Sequence, residues 1–175
     1  MRTLMIITAA LLLAGSGCKK QEPELKLPPL THEGKNILAC KINGEIFIAE
    51  GEPGGGWSQD GVIYRFTKDS AIYLSGQEEE KPLKAYLSLS FIYSKAANVF
   101  KLLQYEKRHG TVILPVDEYV LAESEFNTNE EHTGTVTVTY FQADIIAGTF
   151  EFEAVDSRGE LVHVTDGRFD LKKSK

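Results

Sequence analysis

Apolar and polar residues alternate with a period of two over much of the chain. In one such stretch Val62, Tyr64 and Phe66 would share a face. Because successive side chains of a β-strand point to opposite sides of a sheet, this period predicts half-buried strands. The segments that show it are residues 62–67, 85–93, 135–140, 149–154, 161–165 and 168–171.

The first hairpin has a second, independent signal. Apolar segments 36–42 and 45–49 flank the dipeptide Asn43-Gly44. Both turn residues tolerate a positive φ, which the tightest hairpin turns require. We therefore predict two antiparallel strands joined at Asn43-Gly44.

Residues 94–106 fit two interpretations. Their apolar residues lie at helical spacing behind Ser94, a possible N-cap, and the same residues would also suit an irregular strand. These apolar residues are Ala96, Val99, Phe100 and Leu103. A short helix or turn is slightly favoured. The fold class predicted from the whole pattern is all-β, an antiparallel β-sandwich or partly closed barrel, with surface loops near 54–60, 77–82 and 127–133.

The first 17 residues have the features of a secretory signal, with Arg2 ahead of an apolar segment at 4–14. This segment is too short to span a bilayer, which takes about 20 apolar residues. Small residues then lead into Cys18. This order resembles the lipobox of bacterial lipoproteins, although Gly15 stands where leucine is usual, and it implies lipidation at Cys18. Lys19 in place of Asp favours the outer membrane, facing the periplasm or the cell surface.

Residues 18–35 contain Pro23, Pro28 and Pro29 and have no apolar periodicity. They are predicted to be an extended tether with a reach on the order of 50 Å. The remaining residues, 36–175, are enough for one domain. The predicted organisation is therefore signal 1–17, tether 18–35 and a single β domain 36–175.

Charge and cysteine content limit the partners. The chain has 19 basic and 25 acidic residues, so loss of Arg2 with the signal leaves 18 against 25, a net charge of -7. Nucleic acid is disfavoured as a partner, because phosphate binding requires clustered basic residues. With Cys18 acylated, Cys40 has no disulfide partner and is predicted to be a small buried hydrophobe.

Two regions resemble a known group of proteins. They are LPPLTHEGKNILACKING at residues 27–44, and TGTVTVTYFQAD followed by IIAGTFEFEAV and GELVHVTDGRFD within 133–170. These segments are similar to small uncharacterised lipoproteins of Bacteroidota. The resemblance implies an envelope location and a β-rich fold, and it supplies no ligand or catalytic residue. From the residues alone, Asp166-Gly167 is expected to form a turn or bulge in the last hairpin.

Known catalytic and metal-binding signatures are absent from the sequence. His32, His109, His132 and His163 lack zinc-ligand spacing, and Gly54-Gly55-Gly56 is not followed by the lysine of a phosphate-binding loop. No catalytic residue, metal or cofactor is predicted. An enzyme would need converging carboxylates, such as Asp60, Glu151 and Glu153.

The candidate ligand-binding residues lie in one glycine-rich segment. Trp57 is the only tryptophan, and Gln59 and Asp60 lie close to it. An indole can stack on a sugar ring or anchor a protein interface, while the neighbouring side chains supply hydrogen bonds. The alternative is that Trp57 folds back over the core. Asp69-Ser70-Ala71 resembles a short O-glycosylation motif, which makes Ser70 a candidate for modification.

These observations favour a non-catalytic envelope lipoprotein that is held to the membrane by its N-terminal lipid and binds a ligand, a glycan or an envelope protein. An inhibitor or structural subunit of an envelope complex is the alternative, and a cryptic hydrolase is less favoured.

Overall fold

The computed structural model describes residues 25–51, 61–68, 70–78, 83–104, 108–117 and 120–173. This part of the chain contains strands and no helix, which confirms the predicted all-β class. The strands are β1 (Ile37–Ile42), β2 (Glu45–Glu50), β3 (Gly61–Phe66), β4 (Ala71–Glu78), β5 (Ala85–Ile92), β6 (Val99–Leu102), β7 (His109–Asp117), β8 (Val120–Asn127), β9 (Gly134–Gln142), β10 (Ile145–Val155) and β11 (Leu161–Lys172).

All neighbouring strands are antiparallel, in the order β2-β1-β11-β10-β8-β7-β5-β4-β3. The remaining two strands form a branch, in which β9 pairs with β10 and β6 pairs with β9. The backbone N–H of Val62, in β3, donates to the carbonyl of Gly51, just after β2, at 3.0 Å. The first and last strands of the order therefore meet, and the sheet is nearly closed into a barrel.

The core fills the inside of this sheet. In β5, Leu87, Leu89 and Phe91 alternate inwards and are fully buried. Burial of a side chain of this size contributes about 1.5–3 kcal/mol. The largest fully buried side chains are Phe47, Phe91, Phe169, Leu38, Ile42, Ile72, Leu74, Leu87, Leu89, Leu102, Ile146 and Leu171.

The predicted first hairpin is confirmed. Ile42 pairs with Glu45, and the turn residues Asn43 and Gly44 have φ values of 51° and 87°. The tip is also fixed to β11, because the backbone N–H of His163 donates to Asn43 Oδ1 at 2.9 Å.

The bulge predicted near Asp166 is also confirmed. Phe150 pairs with Gly167 and Phe152 with Val164, so β11 has one residue more than β10 between these pairs. Asp166 lies in this irregularity with a φ of 54°. Its carboxylate contacts Lys41 Nζ at 2.8 Å, which ties the bulge to β1.

Of the short helix or turn favoured at residues 94–106, the turn is present and the helix is wrong for the part of that range that the structure describes. A turn, in which Ala97 N–H donates to the Ser94 carbonyl at 3.2 Å, leads into strand β6. Phe100 and Leu102 point inwards while Val99 and Lys101 are exposed, which is strand alternation. Pairing with β9 decides the conformation, because it satisfies the backbone groups of a segment too short to be a stable helix.

Three strands, β4, β7 and β8, have no counterpart among the strands predicted from the sequence. Gly76 interrupts the apolar pattern of β4. A Cβ at position 76 would lie 2.8 Å from the Cβ of Ala49, in β2. Gln77 and Glu78, expected to begin a loop, instead extend β4. Close packing against β2 therefore explains the glycine that obscured this strand.

The N-terminal segment, residues 25–36, has no regular secondary structure but lies against the barrel. Asp170 accepts hydrogen bonds from Thr31 Oγ1 at 2.5 Å, from Glu33 N–H at 3.0 Å and from Gly34 N–H at 2.6 Å. Arg168 Nη1 donates to the Pro28 carbonyl at 2.9 Å. From Pro28 onwards, the sequence expected to form an extended tether is therefore docked on β11.

Candidate binding cleft

A cleft opens where β10 ends beside β8. The two strands pair at Asn127 and Val155, the last residue of each. Because β10 stops there, Ser124 and Glu125 face the turn 156–160 instead of a paired strand. The cleft has a volume of about 710 Å³. Its lining residues are Gln104, Ser124, Glu125, Asn127, Thr128, Asn129, Val155, Asp156, Ser157 and Arg158.

The turn after β10 forms one wall and is held by Asp156. Its Oδ1 accepts from the N–H groups of Arg158 and Glu160, at 2.8 and 2.9 Å. Its Oδ2 accepts from Arg158 Nε at 2.8 Å. Although desolvation opposes ionisation, hydrogen bonds from Arg158 and Glu160 outweigh it and hold the pKa of Asp156 below its usual value.

Arg158 crosses the open edge of the cleft. Its Nη2 donates to Glu160 Oε2 at 2.8 Å and to Ser124 Oγ, on the β8 side, at 3.0 Å. The hydrogen bond with Asp156 and the nearby charge of Glu160 raise the pKa of this guanidinium. Two carboxylates therefore balance its positive charge, which leaves it poorly suited to attract an anionic ligand.

The opposite wall is tied together by side chains. Asn127 Oδ1 accepts from Thr111 Oγ1 at 2.7 Å, and Asn127 Nδ2 donates to Glu125 Oε1 at 2.9 Å. Thr128 is buried, donating through Oγ1 to the Leu103 carbonyl at 2.6 Å and accepting from Gly110 N–H at 3.0 Å. These bonds preorganise the wall.

Asn129 closes the loop that follows β8. Its Oδ1 accepts from the N–H groups of Glu131 and His132, at 2.8 and 2.6 Å. Among the described residues, neither Asn129 Nδ2 nor the Gln104 amide has a hydrogen-bond partner. These two groups line the cleft, where they are available to a ligand.

A cluster of two histidines and a carboxylate lies beside the same loop. His132 Nδ1 contacts Glu153 Oε1 at 2.5 Å, and His163 Nδ1 contacts Glu153 Oε2 at 3.0 Å. Because an ionised carboxylate only accepts hydrogen bonds, each Nδ1 carries the donated proton. Glu153 thus fastens the loop through His132 and β11 through His163. Within the described ranges, no group of three His, Cys, Asp or Glu side chains has the geometry to hold a metal ion.

The carboxylates considered for an enzyme are only partly located. Glu151 and Glu153 line a groove of about 360 Å³ that also includes His163. Asp60, the third carboxylate, lies outside the described residues.

The other candidate residues have different outcomes. Cys18, Trp57 and Gln59 lie outside the described residues. Ser70 is exposed in the turn between β3 and β4, with a φ of 61°. Cys40 is fully buried, as predicted. Burial also raises the pKa of its thiol.

Sequence reasoning missed the cleft, although parts of it carry turn signals. Asn127-Thr128-Asn129 and Asp156-Ser157-Arg158-Gly159 are typical turn compositions, and residues 127–133 were expected to form a loop. What the sequence does not show is that these turns meet. That requires β8 and β10 to be neighbours, although the chain forms β9 between them.

Comparison with known proteins adds no match: neither a family model nor a curated protein nor a solved structure resembles this chain. The similarity to Bacteroidota lipoproteins stays a prediction. The described part of the chain has no helix of the length and apolarity needed to cross a bilayer.

Proposed function

We propose that this protein is a lipid-anchored module of the bacterial envelope that binds a neutral, hydroxyl-rich ligand, a glycan, in the cleft between β8 and the turn 156–160. The observation that carries the proposal is the lining of the cleft. It combines hydroxyl, amide and carboxylate groups, which can donate to and accept from the hydroxyls of a sugar.

The charge of the cleft favours a neutral ligand over an anionic one. Glu125 and Asp156 are the carboxylates of the lining, and Arg158 is its guanidinium. Arg158 is already paired with Asp156 and Glu160. A phosphate or carboxylate ligand would therefore meet net negative charge, which lowers affinity and slows association.

The position of the cleft is consistent with an N-terminal anchor. Val155 lies at the cleft, while Ile145, at the other end of β10, lies beside Gly34 of the N-terminal segment. These ends of β10 are about 33 Å apart at about 3.3 Å per residue. The cleft therefore opens on the side of the barrel away from the point where the N-terminal segment enters β1.

Binding is tested by titrating the protein with a panel of neutral and acidic oligosaccharides, followed by NMR chemical shifts. Gln104→Ala removes an amide that has no hydrogen-bond partner in the described part of the chain. It is expected to weaken neutral-glycan binding about fivefold, the loss of roughly one neutral hydrogen bond. Gln142→Ala, at the other end of the barrel, is the matched control and should bind like the wild type. Trp57→Ala tests the glycine-rich segment separately.

Three results would overturn this proposal. One is the absence of shifts at the cleft with every glycan, and a second is equal binding by Gln104→Ala and the wild type. The third is co-purification of one stoichiometric envelope protein without glycan binding, which would favour a structural or inhibitory role. The anchor is tested by mass spectrometry of the N-terminal peptide, where an unmodified Cys18 would refute it.

A further inference from the structure

We infer that the end of the barrel opposite the cleft is a surface that rests on an anionic lipid bilayer. This end, called the basal end below, is formed by residues 30–36, by Glu50, Thr67, Lys68 and Ser70, by the turns 93–98 and 143–144, and by residues 172–173. The inference rests on the proposed lipid attachment for its setting and is independent of glycan binding.

Direct contacts bring these segments together. His32 stacks on Tyr140 with ring centroids 4.9 Å apart. Tyr93 packs against Phe141 at 4.5 Å, and its N–H donates to the Ser70 carbonyl at 2.9 Å. Lys173 N–H donates to the Asp144 carbonyl at 2.7 Å, which places the end of β11 at the same site.

The basal end is basic although the protein is acidic overall. Among its described residues, five exposed lysines stand against three exposed carboxylates, and Lys35 is paired with Glu33 at 3.1 Å. The lysines are Lys35, Lys68, Lys95, Lys172 and Lys173, and the carboxylates are Glu33, Glu50 and Asp144.

The cleft end has the opposite sign. The exposed charges described there are Glu45, Glu125, Glu130, Glu131 and Glu160, against Arg108 and Arg158. The charges at its two ends therefore make the barrel an electric dipole, with the positive end where the chain enters β1. An anionic bilayer attracts that end and repels the other, which orients the cleft away from the lipid.

Exposed apolar side chains lie among these charges. Leu30, next to Thr31 of the N-terminal segment, is 61% exposed. Phe66, 40% exposed, lies 6.1 Å from Phe141 between ring centroids. Apolar side chains flanked by lysines suit the headgroup region, where the hydrocarbon enters the boundary and the charges meet phosphate.

The docked N-terminal segment keeps the barrel close to the bilayer. Arg168 Nη1 donates to the Pro28 carbonyl, so only residues 19–27 of the sequence separate Cys18 from this contact. At about 3.1 Å per residue a stretch of this length reaches about 30 Å, less than the 50 Å of the predicted tether.

The test couples the chain from residue 18 through Cys18 to a maleimide lipid in vesicles, so that it does not depend on cellular lipidation. This chain keeps every residue of the described fold, and Cys40 is too deeply buried to compete. Lysines are then acylated with a water-soluble reagent and quantified by mass spectrometry, on phosphatidylcholine vesicles with and without phosphatidylglycerol.

We expect Lys95, Lys172 and Lys173 to be protected several-fold on the anionic vesicles and exposed again at high salt, because ionic screening removes the attraction. Lys84 and Lys101, exposed on other parts of the barrel, are internal controls and should react equally with and without vesicles. Uniform labelling of all five lysines, or equal protection on neutral vesicles, would overturn the inference.

A charge variant gives a second measurement without any anchor. Lys172→Glu with Lys173→Glu should lower the binding of the uncoupled chain to anionic vesicles by at least about thirtyfold. Lys84→Glu with Lys101→Glu changes the net charge by the same amount and should lower it much less. Equal losses in the two variants would show that net charge alone governs binding and would contradict a defined basal surface.

Discussion

Asp170 is the residue on which docking of the N-terminal segment depends most. It is 3% exposed and accepts from one hydroxyl and two N–H groups. Because hydrogen bonds to a charged group contribute about 1.5–3 kcal/mol each and three are lost, we expect Asp170→Ala to lower the free energy of unfolding by at least about 4 kcal/mol. Urea denaturation measures this loss. Asp166→Asn, an exposed carboxylate change, is the control and should cost under about 1 kcal/mol.

The contribution of Asp170 should also depend on pH. Desolvation opposes its ionisation, but hydrogen bonds from Thr31, Glu33 and Gly34 outweigh it and hold the pKa of Asp170 below its ordinary value. A lowered pKa in the folded state gives stability that is complete above the unfolded pKa, about 3.9, and is lost as the pH falls through the folded value. The stability difference between the wild type and Asp170→Asn should therefore shrink below about pH 4. A constant difference down to about pH 2 would refute this.

Gly167 is required by close backbone approach. A Cβ at this position would lie 2.3 Å from the Phe150 carbonyl oxygen and 2.6 Å from its ring. Since the paired strands cannot separate locally, we expect Gly167→Ala to cost about 3 kcal/mol, at the upper end for overpacking. Gly44→Ala is the control: its φ is 87° and nothing lies within 4 Å, so only backbone strain of about 1 kcal/mol is added. Thermal or urea unfolding compares them, and equal costs would contradict the argument.

At the scale of the element, the side chains of β6 distinguish the helical interpretation of residues 94–106 from the strand interpretation. A helix would place Val99 and Phe100 on one buried face, whereas the strand leaves Val99 52% exposed and Phe100 8% exposed. We expect Phe100→Ala to cost about 3 kcal/mol, since Phe100 also stacks on Phe91 at 5.2 Å. Val99→Ala should stay within about 0.5 kcal/mol. Similar losses in denaturation experiments would favour the helix.

The elements that could be predicted from sequence are those whose signals are local. The Asn43-Gly44 turn and the bulge at Asp166 each need a few consecutive residues to tolerate a positive φ, and both were found. Strand β6 was misjudged because its partner β9 lies more than thirty positions further along the chain. The cleft was missed for the same reason, since Gln104, Glu125 and Asp156 come from separate segments.

At the scale of the whole molecule, near-closure of the sheet makes the core a single unit. Cys40 lies in β1, which has β2 on one side and β11 on the other. It pairs with Phe47 of β2. Its side chain is fully buried, and burial raises the pKa of the thiol. No opening confined to a surface loop would expose it, so its reactivity should report on unfolding of the entire barrel.

The reactivity of the native residue Cys40 therefore tests whether the barrel unfolds cooperatively. The experiment uses the Cys18→Ser variant, with an exposed reference cysteine introduced as Ser157→Cys. Cys40 should react with a water-soluble thiol reagent at least about 10⁴-fold more slowly than the reference cysteine, because domains of this kind are stable by about 5–15 kcal/mol. Adding urea below the midpoint should speed the reaction with the slope of global unfolding. Labelling of Cys40 within about tenfold of the rate for the exposed cysteine, or a rate insensitive to urea, would mean that β1 and β2 open independently of the other strands. The barrel would then open most easily between β2 and β3, which are joined by the hydrogen bond from Val62 N–H to the Gly51 carbonyl.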